Sequence, residues 1–379
     1  MKAQIKELGD IITGNTPSKQ EQGFWDSADI CFVKPDMIGE CGLEQITDSK
    51  EYISEKSRRK ARIVNSNAIL VTCIGTIGKV GIVRKECAFN QQINAIVPNQ
   101  RVAPKYLAYC LLYNRGRLAE IANAPIVPII NKTQFGEFVV DIEDNKAKQM
   151  EIVETLDLVS SVIESRKQEI RKLDELIKAR FVEMFGDPSI NPNGYPVRPI
   201  SEIAEYWNGL TYTPENVADE GTIVLRSSNI QNMQLDFQDI IRVSCRISEK
   251  KFVKDNDILM CSRNGSAKLV GKVALIQNLA EPMRFGAFMM IIRSKYYPYL
   301  LTFFQLPAFR AQIATGATTT INQITSNMMN RVMLPVPDTR TIDNFAAFTK
   351  QIDKSIFAVQ QALDKAQLLF DSLMQKYFG

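Results

Sequence analysis

Two stretches of the chain carry apolar residues on a seven-residue beat, and each predicts a long helix. The first runs from about Lys146 to Met184 with no proline or glycine inside. Its seam places Leu156, Ile163, Ile170, Ile177 and Met184 at one heptad position and Ile152, Val159, Arg166, Leu173 and Arg180 at the other. A second seam follows 193 residues later in the same phase, with Thr349, Ile356, Leu363, Phe370 and Tyr377 alternating with Phe345, Ile352, Val359, Ala366 and Leu373. At a rise of 1.5 Å per residue each helix would be roughly 50–60 Å long, a rod rather than a core helix. Two rods with matched seams are expected to pair as an intramolecular coiled coil, antiparallel if a pseudo-two-fold axis relates the copies.

Ahead of each helix the pattern changes to short β-rich stretches broken by Gly, Pro and Asn, such as Ala68 to Ile74, Val80 to Val83 and Phe138 to Ile142. A helical piece opened by Pro104 is interleaved up to Ala122. The expectation is an α+β domain before each rod.

The whole arrangement occurs twice. Met184-Phe185-Gly186 ends the first copy and Tyr377-Phe378-Gly379 ends the chain, so Gly186 and Gly379 lie 193 residues apart. In between, Ile5-Lys6-Glu7-Leu8 answers Ile200-Ser201-Glu202-Ile203, Asn67-Ala68-Ile69-Leu70 answers Asp257-Ile258-Leu259-Met260, and Gly78-Lys79-Val80 answers Gly271-Lys272-Val273. Tyr106-Leu107 and Arg117 pair with Tyr299-Leu300 and Arg310, and Ile130-Asn131 pairs with Ile321-Asn322. A period this long means duplicated domains rather than a solenoid. The expected layout is domain 1–144, helix 145–186, domain 187–338 and helix 339–379.

The outer faces of the helices differ. The first is evenly charged (Glu151, Glu154, Lys167, Glu169, Arg171, Lys172), whereas the second adds Phe348, Phe357, Leu368, Leu369 and Met374 outside its seam. That surplus apolar surface is explained either by another subunit or by the chain's own globular domains.

Composition narrows the chemistry. A charged fraction of 23% and a hydrophobic fraction of 45% describe a folded globular protein, and a net charge of +4 permits a polyanionic partner without demanding one. No apolar run is long enough to span a membrane, and the start lacks a signal-peptide core, so a cytoplasmic location is expected. Seven scattered cysteines (Cys31, Cys41, Cys73, Cys87, Cys110, Cys245, Cys261) form no C-x-x-C pair and read as reduced thiols, with no metal site. There is no histidine, which removes the Ser-His-Asp and Cys-His mechanisms. No phosphate loop, dinucleotide fingerprint or amino-methyltransferase signature is present, so no catalytic residue is assigned. Pro35-Asp36 followed by Asp48-Ser49-Lys50 loosely matches a metal-dependent nuclease pattern, but Asp36 is replaced by Ser228 in the second copy while Lys34 is answered by Arg226.

Four features together resemble the specificity subunit of type I restriction-modification enzymes, over essentially the whole chain. They are Gly14-Asn15-Thr16-Pro17-Ser18 with Gly209-Leu210-Thr211-Tyr212, Phe32 to Ile38 with Val224 to Ile230, Gly75 to Gly81 followed by Phe89-Asn90-Gln91-Gln92-Ile93-Asn94, and a long helix closing on Phe-Gly twice. The second copy departs at Phe285-Gly286-Ala287-Phe288, and the first departs at Asp141-Ile142-Glu143 where the second has Pro335-Val336-Pro337. The resemblance implies two target-recognition domains, each reading half of a split duplex DNA site, with the paired helices setting the gap. It also implies two methylation subunits and restriction/translocase subunits as partners, which would hold S-adenosylmethionine, ATP and Mg²⁺; this chain would bind no cofactor. A scaffold that organises such subunits without reading DNA is the first alternative, and a metal-dependent nuclease built on Asp36, Asp48 and Lys50 is the second.

DNA reading calls for Arg, Lys, Asn, Gln and hydroxyls near glycine-containing loops. The candidates are Thr16, Lys34, Thr76, Lys79 and Lys132 in the first domain. In the second they are Arg226, Ser228, Asn229, Arg263, Asn264, Ser266 and Lys268. The run Arg58-Arg59-Lys60-Ala61-Arg62 is a candidate phosphate patch.

Overall fold

The computed structural model describes residues 1–40, 42–122, 127–231, 233–244, 252–314 and 322–379; Cys41, Cys245 and Ile321 lie outside them. The chain divides into two compact units, Met1–Gln168 with Gln360–Gly379, and Glu169–Val359. Both expected rods are continuous helices, Lys146–Phe185 and Thr339–Phe378. Each unit therefore contains part of both.

In unit 1 a five-stranded sheet has the spatial order Gly9–Thr13, Ile93–Pro98, Ile69–Thr72, Val80–Val83, Glu44–Ile46. A four-stranded sheet follows the order Glu51–Ile53, Ile30–Val33, Cys87–Phe89, Ile63–Val64. Its two central strands run parallel, with Val33 opposite Phe89. Strands Ile30–Val33, Ile69–Thr72 and Val80–Val83 are buried on both faces, which is why they read as unbroken apolar runs rather than alternating ones. Helix Pro104–Tyr113 lies over the larger sheet, and Leu156, Val159 and Ile163 of the first rod share its core with Phe370, Met374 and Phe378 of the second.

Unit 2 repeats the plan. One four-stranded sheet runs Glu205–Asn208, Met289–Arg293, Ile258–Cys261, Val273–Leu275, and the other runs Val217–Ala218, Arg242–Val243, Thr222–Leu225, Met283–Phe285. Leu225 and Phe285 form the parallel pair that matches Val33 and Phe89. Here Ile177, Phe181 and Phe185 of the first rod share a core with Ile342, Phe345 and Phe348 of the second. In unit 1 the start of the first rod thus meets the end of the second, and in unit 2 its end meets the second's start. The helices are antiparallel in both. The architecture is the α+β, two-domain, coiled-coil class expected from the repeat.

The chain's own units take up only part of the apolar surplus on the second rod. Met374 is buried and Phe348 partly so, each against its own unit, whereas Phe357, Leu368 and Leu369 stay 64%, 71% and 51% exposed. Arg180, an arginine on the seam, is accommodated by its stem, with the guanidinium 5.7 Å from the Phe348 ring centre and bonded to Glu183 at 2.8 Å. The five described cysteines are buried and free. Burial pushes the Cys73, Cys87 and Cys110 thiols up to about 12, which makes them inert at neutral pH.

Candidate nucleic-acid interface

Three connections meet at one edge of each unit, held by the same backbone hydrogen bonds. In unit 1 Asn90 N–H donates to the Val33 carbonyl (3.1 Å), Cys73 N–H to Gln92 (2.8 Å), and Ile130 N–H to Cys73 (2.9 Å). In unit 2 Gly286 N–H donates to Leu225 (2.9 Å), Ser262 N–H to Phe288 (2.9 Å), and Ile324 N–H to Ser262 (2.7 Å). Gly14 and Gly209 close both frames. A Cβ on Gly14 would lie 2.1 Å from the Asn90 carbonyl oxygen, and one on Gly209 equally near that of Phe285, so only glycine lets these backbones approach.

The hairpin connection within this frame differs in length. Thr72 and Cys261 accept from the N–H groups of Gly78 and Gly271, and five residues separate the first pair against nine in the second. The four extra residues belong to the polar loop picked out in the sequence. Its Arg263, Ser266 and Lys268 are exposed, while Asn264 is half-buried and anchored by Nδ2 to the Ser227 hydroxyl at 3.2 Å. Asn322 pins the loop from the other side, donating to the Gly265 carbonyl (3.2 Å) and accepting the Asn264 N–H at its own carbonyl (3.3 Å).

The first-unit candidates are less closely grouped. Thr16 is exposed and donates to Gln91 Oε1 at 2.7 Å, at the turn beside the frame, and Thr76 is exposed on the short hairpin loop. Lys34, half-buried, is paired with Glu51. Lys79 is 8% exposed; its ammonium sits 2.6 Å from Glu40 Oε1, and Glu40 also receives Arg115 Nη2 at 3.4 Å. These contacts, Lys79 first, hold the Glu40 carboxyl below its ordinary range. Lys132 is elsewhere, on an open cleft of about 530 Å³ lined also by Lys6, Asp10 and Glu137. It follows Asn131, which caps its helix by accepting the Gln134 N–H at 2.9 Å.

Three second-unit candidates form a scaffold behind the loop. Asn229 is 1% exposed, and its Nδ2 donates to the carbonyls of Asp236 and Asp239, both at 2.9 Å. Its Oδ1 accepts the Arg226 N–H at 2.8 Å. Arg226 lies 2.6 Å from Asp239 Oδ1, and the Ser228 hydroxyl followed by Arg226 holds that carboxyl below its usual range.

The basic run lies against the opening turn. Asn15 Nδ2 donates to the Lys60 carbonyl (2.6 Å) and its Oδ1 accepts the Arg62 N–H (2.7 Å). Arg59, Lys60 and Arg62 are exposed, whereas Arg58 is gripped by Glu86 through both terminal nitrogens at 2.9 and 2.7 Å. The two carboxylates of the loose nuclease pattern do not share a partner. Asp48 binds Tyr52 and Lys85, and Asp36 faces Lys50 at 3.8 Å. No group of three or more potential metal ligands occurs among the described residues.

Two side chains on the frame escaped the sequence reading. Phe288 is 58% exposed with the Arg263 guanidinium 5.1 Å from its ring centre, and Asn322 braces the loop from its far side. For Phe288 the sequence signal is the departure at Gly286-Ala287-Phe288 from the Asn-Gln-Gln run of the first copy.

Residues 1–175 match the family described as type I restriction modification DNA specificity domain. The specificity subunit of the type I restriction enzyme HindI of Haemophilus influenzae is 36% identical over 108 residues, covering 28% of this chain and 23% of that protein. That of EcoR124I/EcoR124II of Escherichia coli is 27% identical over 180 residues, 44% of this chain and 43% of that one. The aligned segments thus span less than half the length of these curated relatives. The fold matches the crystal structure of a type I restriction-modification S subunit from M. genitalium with a TM-score of 0.55 at 14% identity, covering 100% of this chain and 96% of that one.

Proposed function

This chain belongs to the family of type I restriction-modification DNA specificity subunits, and on that premise we propose that it is the non-catalytic DNA reader of such a complex. Each unit reads one half of a split, asymmetric duplex site, and the paired helices fix the gap. The observation that carries this reading is the frame at the edge of both units. Its backbone hydrogen bonds are the same, while the loops mounted on it differ in length and in their exposed side chains. A duplicated scaffold with divergent loops is what two readers of different half-sites need.

The contacts we assign to DNA are Thr16 and Thr76 in unit 1, and Arg263, Asn264, Ser266 and Lys268 in unit 2, with Lys34 and Lys132 as phosphate partners. Arg226, Ser228 and Asn229 act from behind by holding the second-unit loop, while Lys79 is taken up by its ion pair with Glu40. The partners are duplex DNA, two methylation subunits and restriction/translocase subunits, which would carry S-adenosylmethionine, ATP and Mg²⁺, in the cytoplasm. No described helix is long and apolar enough to cross a membrane. The exposed Leu158, Leu368 and Leu369 of unit 1 and Leu176 and Phe357 of unit 2 are the helix surfaces we assign to methylation-subunit docking.

The test is to co-purify the chain with the methylation subunit encoded beside it and to map methylated bases in genomic DNA. Two short defined halves around a fixed undefined gap are the expected motif. A stable complex that produces no split motif would favour a scaffold over a reader.

A further inference from the structure

We propose that Phe288 reads the 5-methyl group of a thymine in the major groove, steered by Arg263, and that its turn is where the two half-site specificities diverge. The proposal rests on the DNA-reading role above.

A single exposed phenylalanine is ordinary on a protein surface, so exposure alone decides nothing. What distinguishes Phe288 is that its backbone is fixed while its ring is not covered. Gly286 N–H is bonded to Leu225, Met289 N–H to Gly286 at 2.9 Å, and the Phe288 carbonyl accepts from both Ser262 and Arg263, at 2.9 and 3.0 Å. The ring, 58% exposed, carries the Arg263 guanidinium on its face at 5.1 Å. A rigid backbone and a side chain with two rotatable bonds lose little entropy on contact.

The equivalent position in unit 1 is Gln92, since its carbonyl accepts the Cys73 N–H as that of Phe288 accepts the Ser262 N–H. There the turn carries amides. Gln91 Oε1 takes the Thr16 hydroxyl at 2.7 Å and Gln92 Oε1 takes Asn90 Nδ2 at 2.9 Å. Glutamine suits the donor and acceptor edge of adenine, whereas a hydrocarbon ring suits the thymine methyl, the one apolar group the major groove offers. Arginine beside it suits guanine N7 and O6. The 5.1 Å separation of ring and guanidinium corresponds to about one to two base steps of roughly 3.4 Å. Unit 2 should therefore read a thymine within a step or two of a guanine.

The test uses the full chain, wild type or variant, co-expressed with its methylation subunit, with methylated bases mapped across the host genome. For Phe288→Ala the expected result is loss of one thymine from one half of the motif, discrimination there falling about 10- to 100-fold. The other half should be unchanged, which reports that the variant is folded and assembled. Phe288→Leu should keep most of the preference. An Ala variant with the wild-type motif would overturn the proposal while leaving the reader intact. If the Ala variant methylates nothing, Phe288→Leu decides: restored methylation with the thymine kept supports the contact, and continued silence makes Phe288 structural. A wild-type complex with no split motif would instead sink the DNA-reading role itself.

Discussion

The ring of Tyr106 lies 5.2 Å from that of Phe378, across 272 residues of chain. Their counterparts Tyr299 and Phe185 lie 4.9 Å apart. Tyr106 belongs to the first copy and Phe378 to the helix of the second, while Tyr299 belongs to the second and Phe185 to the helix of the first. Each globular domain is thus sealed by the end of the helix that the other repeat supplies. The exchange ties the two copies together through apolar burial rather than through a linker.

This exchange predicts local damage. Phe378→Ala should destabilise unit 1, and Phe185→Ala unit 2, each by about 3–5 kcal/mol. The two tryptophans fall one in each unit, Trp25 and Trp207, so fluorescence-monitored urea unfolding of single-tryptophan variants can follow the units separately. Phe378→Ala should move the Trp25 transition more than the Trp207 transition, and Phe185→Ala the reverse. Equal shifts would mean that the anchors do not act within their own units.

Arg263 is exposed, with its guanidinium over the Phe288 ring. Arg263→Ala should relax one guanine position by about 1–3 kcal/mol in the half-site read by unit 2, leaving assembly normal. Methylation mapping checks it; an unchanged motif from an assembled complex removes Arg263 from the readers.

The rods and the duplication were legible in the sequence because a heptad seam without glycine or proline persists over many turns. A nearly constant offset, however, could not follow the small length changes beyond Tyr106 and Tyr299, after which the spacing of equivalent residues is no longer 193. Arg115 and Arg310 are the pair that packs over Gly78 and Gly271, so Arg117 is not the partner of Arg310. Arg117 and Gln312 instead donate to the carbonyls of Val139 and Met333. Likewise Thr325, not Asn322, answers Asn131, because both cap a short helix. Lys79 and Asn229 look like surface polar residues in sequence, and only tertiary contact with Glu40 or with the Asp236 and Asp239 carbonyls buries them. Phe288 fails in the opposite sense. An apolar residue before Met289-Met290-Ile291 reads as core, and its outward direction is set by the turn at Gly286.

The Lys79–Glu40 pair predicts a pH effect separable from DNA reading. Glu40 has its folded pKa below the ordinary 4.5, so its contribution is present above that value and fades as pH falls through the folded pKa. Removing its principal partner with Lys79→Met should flatten the loss of stability between roughly pH 5 and 3, seen in urea midpoints measured across that range. With Lys79 only 8% exposed, the methylation motif should stay the same. A steeper acid loss in the variant, or a changed motif, would contradict this.

The basic run predicts a purely electrostatic effect. Arg59, Lys60 and Arg62 are exposed and tethered by Asn15 beside Thr16, while Arg58 is occupied by Glu86 and Glu55. If the three exposed cations lie along phosphates, replacing them together by glutamine should weaken binding to specific and random duplexes alike. The slope of log affinity against log salt should fall by up to about 0.9 for each phosphate no longer neutralised. Arg58→Gln removes the same kind of charge but breaks an internal ion pair, so it should lower thermal stability and leave the slope nearly unchanged. Comparing the two variants by salt-dependent binding of the assembled complex separates a phosphate contact from mere net charge. A triple variant with the wild-type slope would take this patch out of the interface and leave Lys34 and Lys132 to position unit 1 on the duplex.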